Sequence, residues 1–147
     1  MTLYERRSPA RHTAIVERMK LAALLLLAVI SMSAHAASFD DRVRIGKEIG
    51  NMAVYQPYQK TMYQSITNHL TNTIKRCFEE TRNPQTEAFT LVADITSEGT
   101  ARSVEIRPET NIARCFAKGF GEASFPQPPA VPGHDAFPIV IDLNMGP

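Results

Sequence analysis

Residues 89–107 carry the sequence FTLVADITSEGTARSVEIR, and this stretch decides the fold because it predicts two strands joined by a tight turn. From Phe89 to Ile95, apolar side chains occupy every second position, which is the pattern of a strand with one apolar face. Gly99 ends the turn, where a short hairpin loop needs a positive φ that glycine adopts without strain. The chain then returns as a second predicted strand, Ala101–Arg107.

An amphipathic helix is predicted on each side of this hairpin. From Tyr58 to about Arg82, apolar residues recur every three or four positions, which is the spacing of one helix face. The stripe consists of Met62, Ile66, Leu70, Ile74, Cys77 and Phe78. Pro84 stops this helix, since proline lacks the N–H that a helix interior uses. After Pro108 a second helical stripe begins, formed by Ile112, Cys115, Phe116 and Phe120.

A last strand is predicted near the C-terminus. Apolar residues alternate from Phe137 to Met145, and Pro138 is typical of an edge strand or of an unpaired beginning. Before it, 124–129 contains three prolines and is expected to be extended chain outside the sheet. The order is therefore helix, strand, strand, helix, strand. Because helix stripes and strand faces can bury one another, we predict a two-layer α+β domain of order α-β-β-α-β.

The N-terminal segment 1–36 has the pattern of a signal peptide. An apolar core begins at Leu21 behind Arg18 and Lys20 and ends before the small-x-small pattern Ala34-His35-Ala36. We predict cleavage between Ala36 and Ala37, with Met19 as a possible true start. The alternative is a retained membrane anchor, although the apolar stretch is shorter than the roughly 20 residues of a spanning helix. Residues 37–57 are expected to form a short helix or an ordered arm, because Gly46 and Gly50 interrupt any helical pattern.

The remaining residues, 37–147, suit one domain of about 111 residues, which we divide into this arm and a domain over 58–147. They keep 11 of the 16 basic and 13 of the 15 acidic residues, so their net charge is −2. The basic residues are scattered, whereas nucleic-acid binding normally needs clustered Lys and Arg. We therefore expect no nucleic-acid partner.

The two cysteines, Cys77 and Cys115, fall on the two predicted helices. In an exported protein such a pair is normally oxidised, and we expect a disulfide that joins the helices. Three alternatives stay open: two buried free thiols, zinc ligation with His69 or His134, and a cysteine nucleophile assisted by His134. The zinc alternative lacks the closely spaced cysteine pairs of structural zinc sites.

No other group of residues indicates a reacting site. The carboxylates at Glu79, Glu80, Asp94, Glu105 and Asp142 are expected on solvated faces rather than as an acid/base pair. We predict no catalytic, cofactor-binding or metal-binding residues and no cofactor. Around Pro57 lies a cluster of tyrosines, which suits either packing of the arm on the domain or a partner surface: Tyr55, Tyr58 and Tyr63.

The order of these features resembles the C-terminal domain of TonB-type energy transducers, and more closely its cysteine-bearing AgmX/PglI-type branch. The resemblance covers roughly 74–145 and is carried by Cys77, Gly99, Cys115, Phe125, Pro126 and Pro128. It implies a periplasmic domain without enzymatic activity, whose three-stranded antiparallel sheet pairs with a partner through an exposed strand. The chain departs from transducers in lacking their long proline-rich linker, since only Pro57 lies between Ala36 and the domain.

The expected function is therefore an exported periplasmic interaction module of a Gram-negative bacterium. It binds an envelope protein or peptide, of unknown identity, through a sheet edge, and could use the same edge to form a homodimer. The alternative is an inner-membrane-anchored accessory of an energy-transducing or transport complex. That alternative requires the leader to be retained, which is also the condition for any membrane association.

Overall fold

A computed structural model describes residues 37–145. The predicted signal peptide, together with Ala36 of the predicted cleavage site, lies outside these residues. The elements in chain order are α1 (Phe39–Gly50), a 3-10 turn (Ala53–Tyr55), α2 (Gln56–Glu80), β1 (Phe89–Ile95), β2 (Ala101–Arg107), α3 (Asn111–Gly121) and β3 (Phe137–Leu143).

The three strands form an antiparallel sheet of order β2-β1-β3, so β1 is central and the other two strands are edges. Gly99 has φ +76° in the β1–β2 turn, as the sequence predicts. Its carbonyl accepts the Phe125 N–H at 2.9 Å, so the segment after α3 packs directly on the turn. A side chain at Gly99 would overlap the Phe125 carbonyl oxygen.

The main core lies between one face of the sheet and the helices α2 and α3. Met62 and Ile66 of α2, with Phe116 and Phe120 of α3, are at most 1% exposed. They pack against the β1 side chains Leu91, Ala93 and Ile95. Cys77 and Cys115 form a disulfide between the two helices, with their Cα atoms 5.7 Å apart. The α+β class, the three-stranded antiparallel sheet and the disulfide are thus confirmed.

Helix α1 contacts the opposite face of the sheet and adds a layer that the sequence did not predict. Ser38 caps its first turn, where the hydroxyl accepts the Asp41 N–H at 3.2 Å. The helix is the short helix expected within 37–57; it continues through Gly46 and ends at Gly50, so only the expectation that Gly46 interrupts it is wrong. A Cβ at Gly46 would lie 2.5 Å from the Val140 Cγ2 atom, so glycine lets α1 approach β3 closely.

The first predicted helix begins two residues earlier than the sequence pattern indicated. Pro57 lies in the first turn of α2, where a backbone N–H would have no hydrogen-bond acceptor within the helix, so its absence costs nothing. Phe78 was predicted on the buried stripe and is 37% exposed, because Cys77 and Thr73 occupy the inward positions of the last turns. Within 37–145, no helix is both long and apolar enough to cross a bilayer.

Candidate functional site

The two edges of the sheet differ in regularity. On β2 the pairing with β1 shifts between Val92 and Asp94, so Ser103 and Val104 together oppose Ala93. Ser103 has φ +51°, and its carbonyl accepts a 2.7 Å hydrogen bond from the Arg42 guanidinium. Such a bulge bends an edge strand and interrupts its row of unpaired backbone groups, which hinders pairing with a further strand.

The β3 edge is regular, since all seven residues from Phe137 to Leu143 pair with β1 in one register. A proline in an edge strand is accommodated where its missing N–H would face away from the sheet. In an antiparallel strand, the backbone N–H and C=O groups of every second residue point to the same side. The backbone groups of Val140 and Asp142 therefore point to the same side as those of Pro138. We infer that the backbone N–H and C=O groups of Val140 and Asp142 point outward from β3.

A groove of about 330 Å³ lies along this edge, between α1 and the start of α2. Its α1 wall includes Gly46 and Gly50, and its α2 wall includes Gln56, Gln59 and Tyr63. Phe137, Pro138 and Ile139 are buried in it, whereas 140–143 are half-buried or exposed. The accessible part of the edge, which we call the open half of β3, is therefore 140–143.

Opposite charges lie beside the open half of β3. The Lys47 Nζ atom is 2.9 Å from Asp142 Oδ2, and both side chains are more than half exposed. The Thr90 hydroxyl donates a 2.6 Å hydrogen bond to Asp142 Oδ1. This hydrogen bond, and then Lys47, hold the pKa of Asp142 below its ordinary value. Burial, and then the charge of Asp142, raise the pKa of the nearby Tyr63 hydroxyl.

The tyrosine cluster of the sequence divides into two parts. Tyr55 and Tyr58 pack edge-on against Phe137, with ring centroids 5.4 and 4.8 Å away. Burial raises the pKa of Tyr58 to about 12, and its hydroxyl donates to the Pro126 carbonyl at 3.1 Å. Tyr63, which is 40% exposed, is the member of the cluster that lines the groove. Packing thus explains two of the three tyrosines, and Tyr63 belongs to the candidate site.

The cysteine alternatives to a disulfide are excluded, since both sulfur atoms are bonded to each other. His69 contacts the Gly119 carbonyl through Nε2 at 2.7 Å, and that nitrogen therefore carries a hydrogen. Among residues 37–145, no cluster of three or more His, Cys, Asp or Glu side chains could hold a metal ion. The disulfide itself indicates an oxidising, non-cytoplasmic compartment.

The structure brings two of the predicted surface carboxylates together. Arg42 of α1 is 3.3 Å from Asp94 Oδ2 and 3.4 Å from Glu105 Oε2, and its side chain is only 17% exposed. This pairing ties α1 to β1 and β2. Sequence spacing could not reveal it, because Arg42 lies more than 50 positions away from either partner.

Comparison with known proteins gave no match to any family model, to any curated protein or to any solved structure.

Proposed function

We propose that this chain is an exported periplasmic protein-interaction module, similar in fold to the TonB C-terminal domain, that binds an extended segment of an envelope protein by adding it to β3. The observation that carries the proposal is the contrast between the two edges. β2 is bulged at Ser103, whereas β3 keeps one register and has an accessible half. Such an edge is the feature that strand addition uses.

The side chains around the open half of β3 suggest what the bound segment is like. Val140 and Asp142 offer up to four backbone hydrogen bonds, each contributing only about 0.5–1.5 kcal/mol net. Association itself costs about 4–15 kcal/mol, so side-chain contacts must add to the affinity. Ile141 and Leu143 face the α2 side, and Lys47 with Asp142 lies on the α1 side. A segment that alternates apolar and polar residues fits both sides.

Export is supported by the leader pattern of 1–36 and by the disulfide, which suits the periplasm. A second copy of the chain could pair with the same edge. The resulting homodimer is the alternative to binding a different protein there. A catalytic role is not proposed, because the groove combines amides, a tyrosine and one exposed ion pair, an arrangement without a nucleophile next to a base.

Site-specific photo-crosslinking in the native host tests both which sheet edge binds the partner and in which compartment the protein lies. A photoreactive amino acid replaces Asp142 on β3 or, as the matched control, Arg102 on β2, in the full-length chain. Both positions are accessible, with side chains 57% and 45% exposed. We expect an adduct with an envelope protein from position 142 and none from position 102. The adduct should be found in the periplasmic fraction. Its mass should show that this chain begins at Ala37.

Three results would oppose the proposal. Equal adducts from both positions would mean that β3 has no special role. An adduct consisting only of two copies of this chain would favour the homodimer. An uncleaved chain in the membrane fraction would favour an anchored accessory instead of a free module.

A further inference from the structure

Two glutamine side chains join α2 to the end of α1 above the β3 edge. The Nε2 atoms of Gln56 and Gln59 each lie 2.6 Å from the Gly50 carbonyl oxygen. That carbonyl belongs to the last turn of α1, where it has no partner within the helix. One oxygen therefore accepts two amide donors. We call these three residues the glutamine clasp.

The clasp lines the groove that borders the buried half of β3. Its residues line the same groove as Phe137, Pro138 and Ile139, which are buried, whereas the strand is accessible beyond Ile139. Gly50 allows the close approach, since a Cβ there would lie 3.2 Å from Gln59 Nε2. The clasp holds the ends of α1 and α2 together in the groove through which a longer added strand would approach β3.

We infer that the glutamine clasp determines how much of the β3 edge a bound strand can reach. With the clasp closed, a partner pairs only with 140–143. With the clasp open, the Pro138 carbonyl becomes a further acceptor and the added strand extends toward Phe137. The choice of a strand as ligand rests on the proposed function, but the covering of the edge by the clasp does not.

Opening the clasp is physically accessible. Gln56 is exposed and Gln59 half-buried, so both released amides can hydrogen-bond to water instead. Amide–carbonyl bonds of this kind are individually weak in net terms. A side-chain contact of this strength can therefore tune a binding site without being needed for the fold.

The test combines Gln56→Ala with Gln59→Ala in the oxidised protein purified from its host. The matched control is Gln64→Ala, which removes an exposed glutamine of the same helix. The first readout needs no ligand: a soluble gadolinium agent broadens amide signals near solvent. We expect the broadening at Phe137 and Ile139 to rise at least about twofold in the double variant and to stay unchanged in the control.

The second readout uses a nine-residue peptide of alternating valine and threonine with a lysine at each end. In the double variant its apparent affinity should rise roughly threefold to tenfold, because the competent edge is populated more often. Its footprint in amide spectra should extend from 140–143 to Phe137. Equal affinity and an equal footprint in both proteins would contradict the inferred control of strand length.

The two readouts separate the failure of this inference from the failure of the proposed function. Unchanged gadolinium broadening at Phe137 and Ile139 would overturn the inference whatever the peptide does. Increased broadening, with the peptide bound elsewhere than β3 in both proteins, would support the covering role of the clasp. That second result would at the same time reject the β3 edge as the binding site.

Discussion

Reduction of the Cys77–Cys115 disulfide is expected to lower the free energy of unfolding by about 4 kcal/mol. The bond joins residues 38 positions apart, and a covalent link across a loop of that length removes much of the conformational freedom of the unfolded chain. It also ties α2 to α3, the two helices that bury the main core. The effect is large for a domain whose total stability is expected to be about 5–15 kcal/mol.

Urea unfolding with and without a reductant measures this effect directly. The variant Cys77→Ala with Cys115→Ala gives a second estimate and should be unaffected by the reductant. Since Cys77 is fully buried, reduction alone preserves the side-chain volume and is the cleaner comparison. A loss below about 1 kcal/mol on reduction would mean that the bond does not stabilise the domain in the way loop closure requires.

The second large effect is expected from Gly99→Ala, which should destabilise the protein by about 3 kcal/mol. Alanine at φ +76° is strained, and its Cβ would also overlap the Phe125 carbonyl oxygen. The segment after α3 would then have to move away from the β1–β2 turn. Phe125 is buried beside Phe120, with ring centroids 5.1 Å apart, so this movement would disturb the core.

Gly133→Ala separates the two causes. Gly133 has φ +79°, nearly the same as Gly99, but nothing lies within 4 Å of a Cβ there. Its substitution should cost only the backbone strain, about 1 kcal/mol. The difference between the two variants in thermal or urea unfolding therefore measures the cost of the overlap between the alanine Cβ and the Phe125 carbonyl oxygen. Equal losses would show that the segment around Phe125 relieves this overlap without cost.

The hairpin, the helices α2 and α3 and the disulfide were predictable because each depends on local periodicity or on residue type. Helix α1 was not predictable in the same way. Gly46 lowers helical propensity by about 1 kcal/mol, and the reason for a glycine there is the distant Val140 side chain. The prediction that Phe78 is buried was wrong for a different reason, since periodicity could not tell which of two neighbouring positions faces the core.

The candidate site was predictable only in outline. A three-stranded sheet must have two edges, but their difference depends on the Ser103 bulge, whose carbonyl accepts a hydrogen bond from the distant Arg42. The glutamine clasp depends on a backbone carbonyl, and a sequence carries no signal for such a contact. Pro138 was the one local signal for the β3 edge, and it lies on the strand that we propose as the binding edge.

Amide hydrogen exchange at Val140 and Asp142 tests the central claim most directly. The oxidised protein is measured alone, with the alternating valine–threonine peptide and with peptides from a digest of the host's envelope proteins. The account predicts that a binding peptide slows exchange at Val140 and Asp142 by about tenfold or more, while β2 amides are unchanged. Peptides that bind with protection elsewhere would contradict it. So would a monomeric protein whose β3 edge none of these peptides protects.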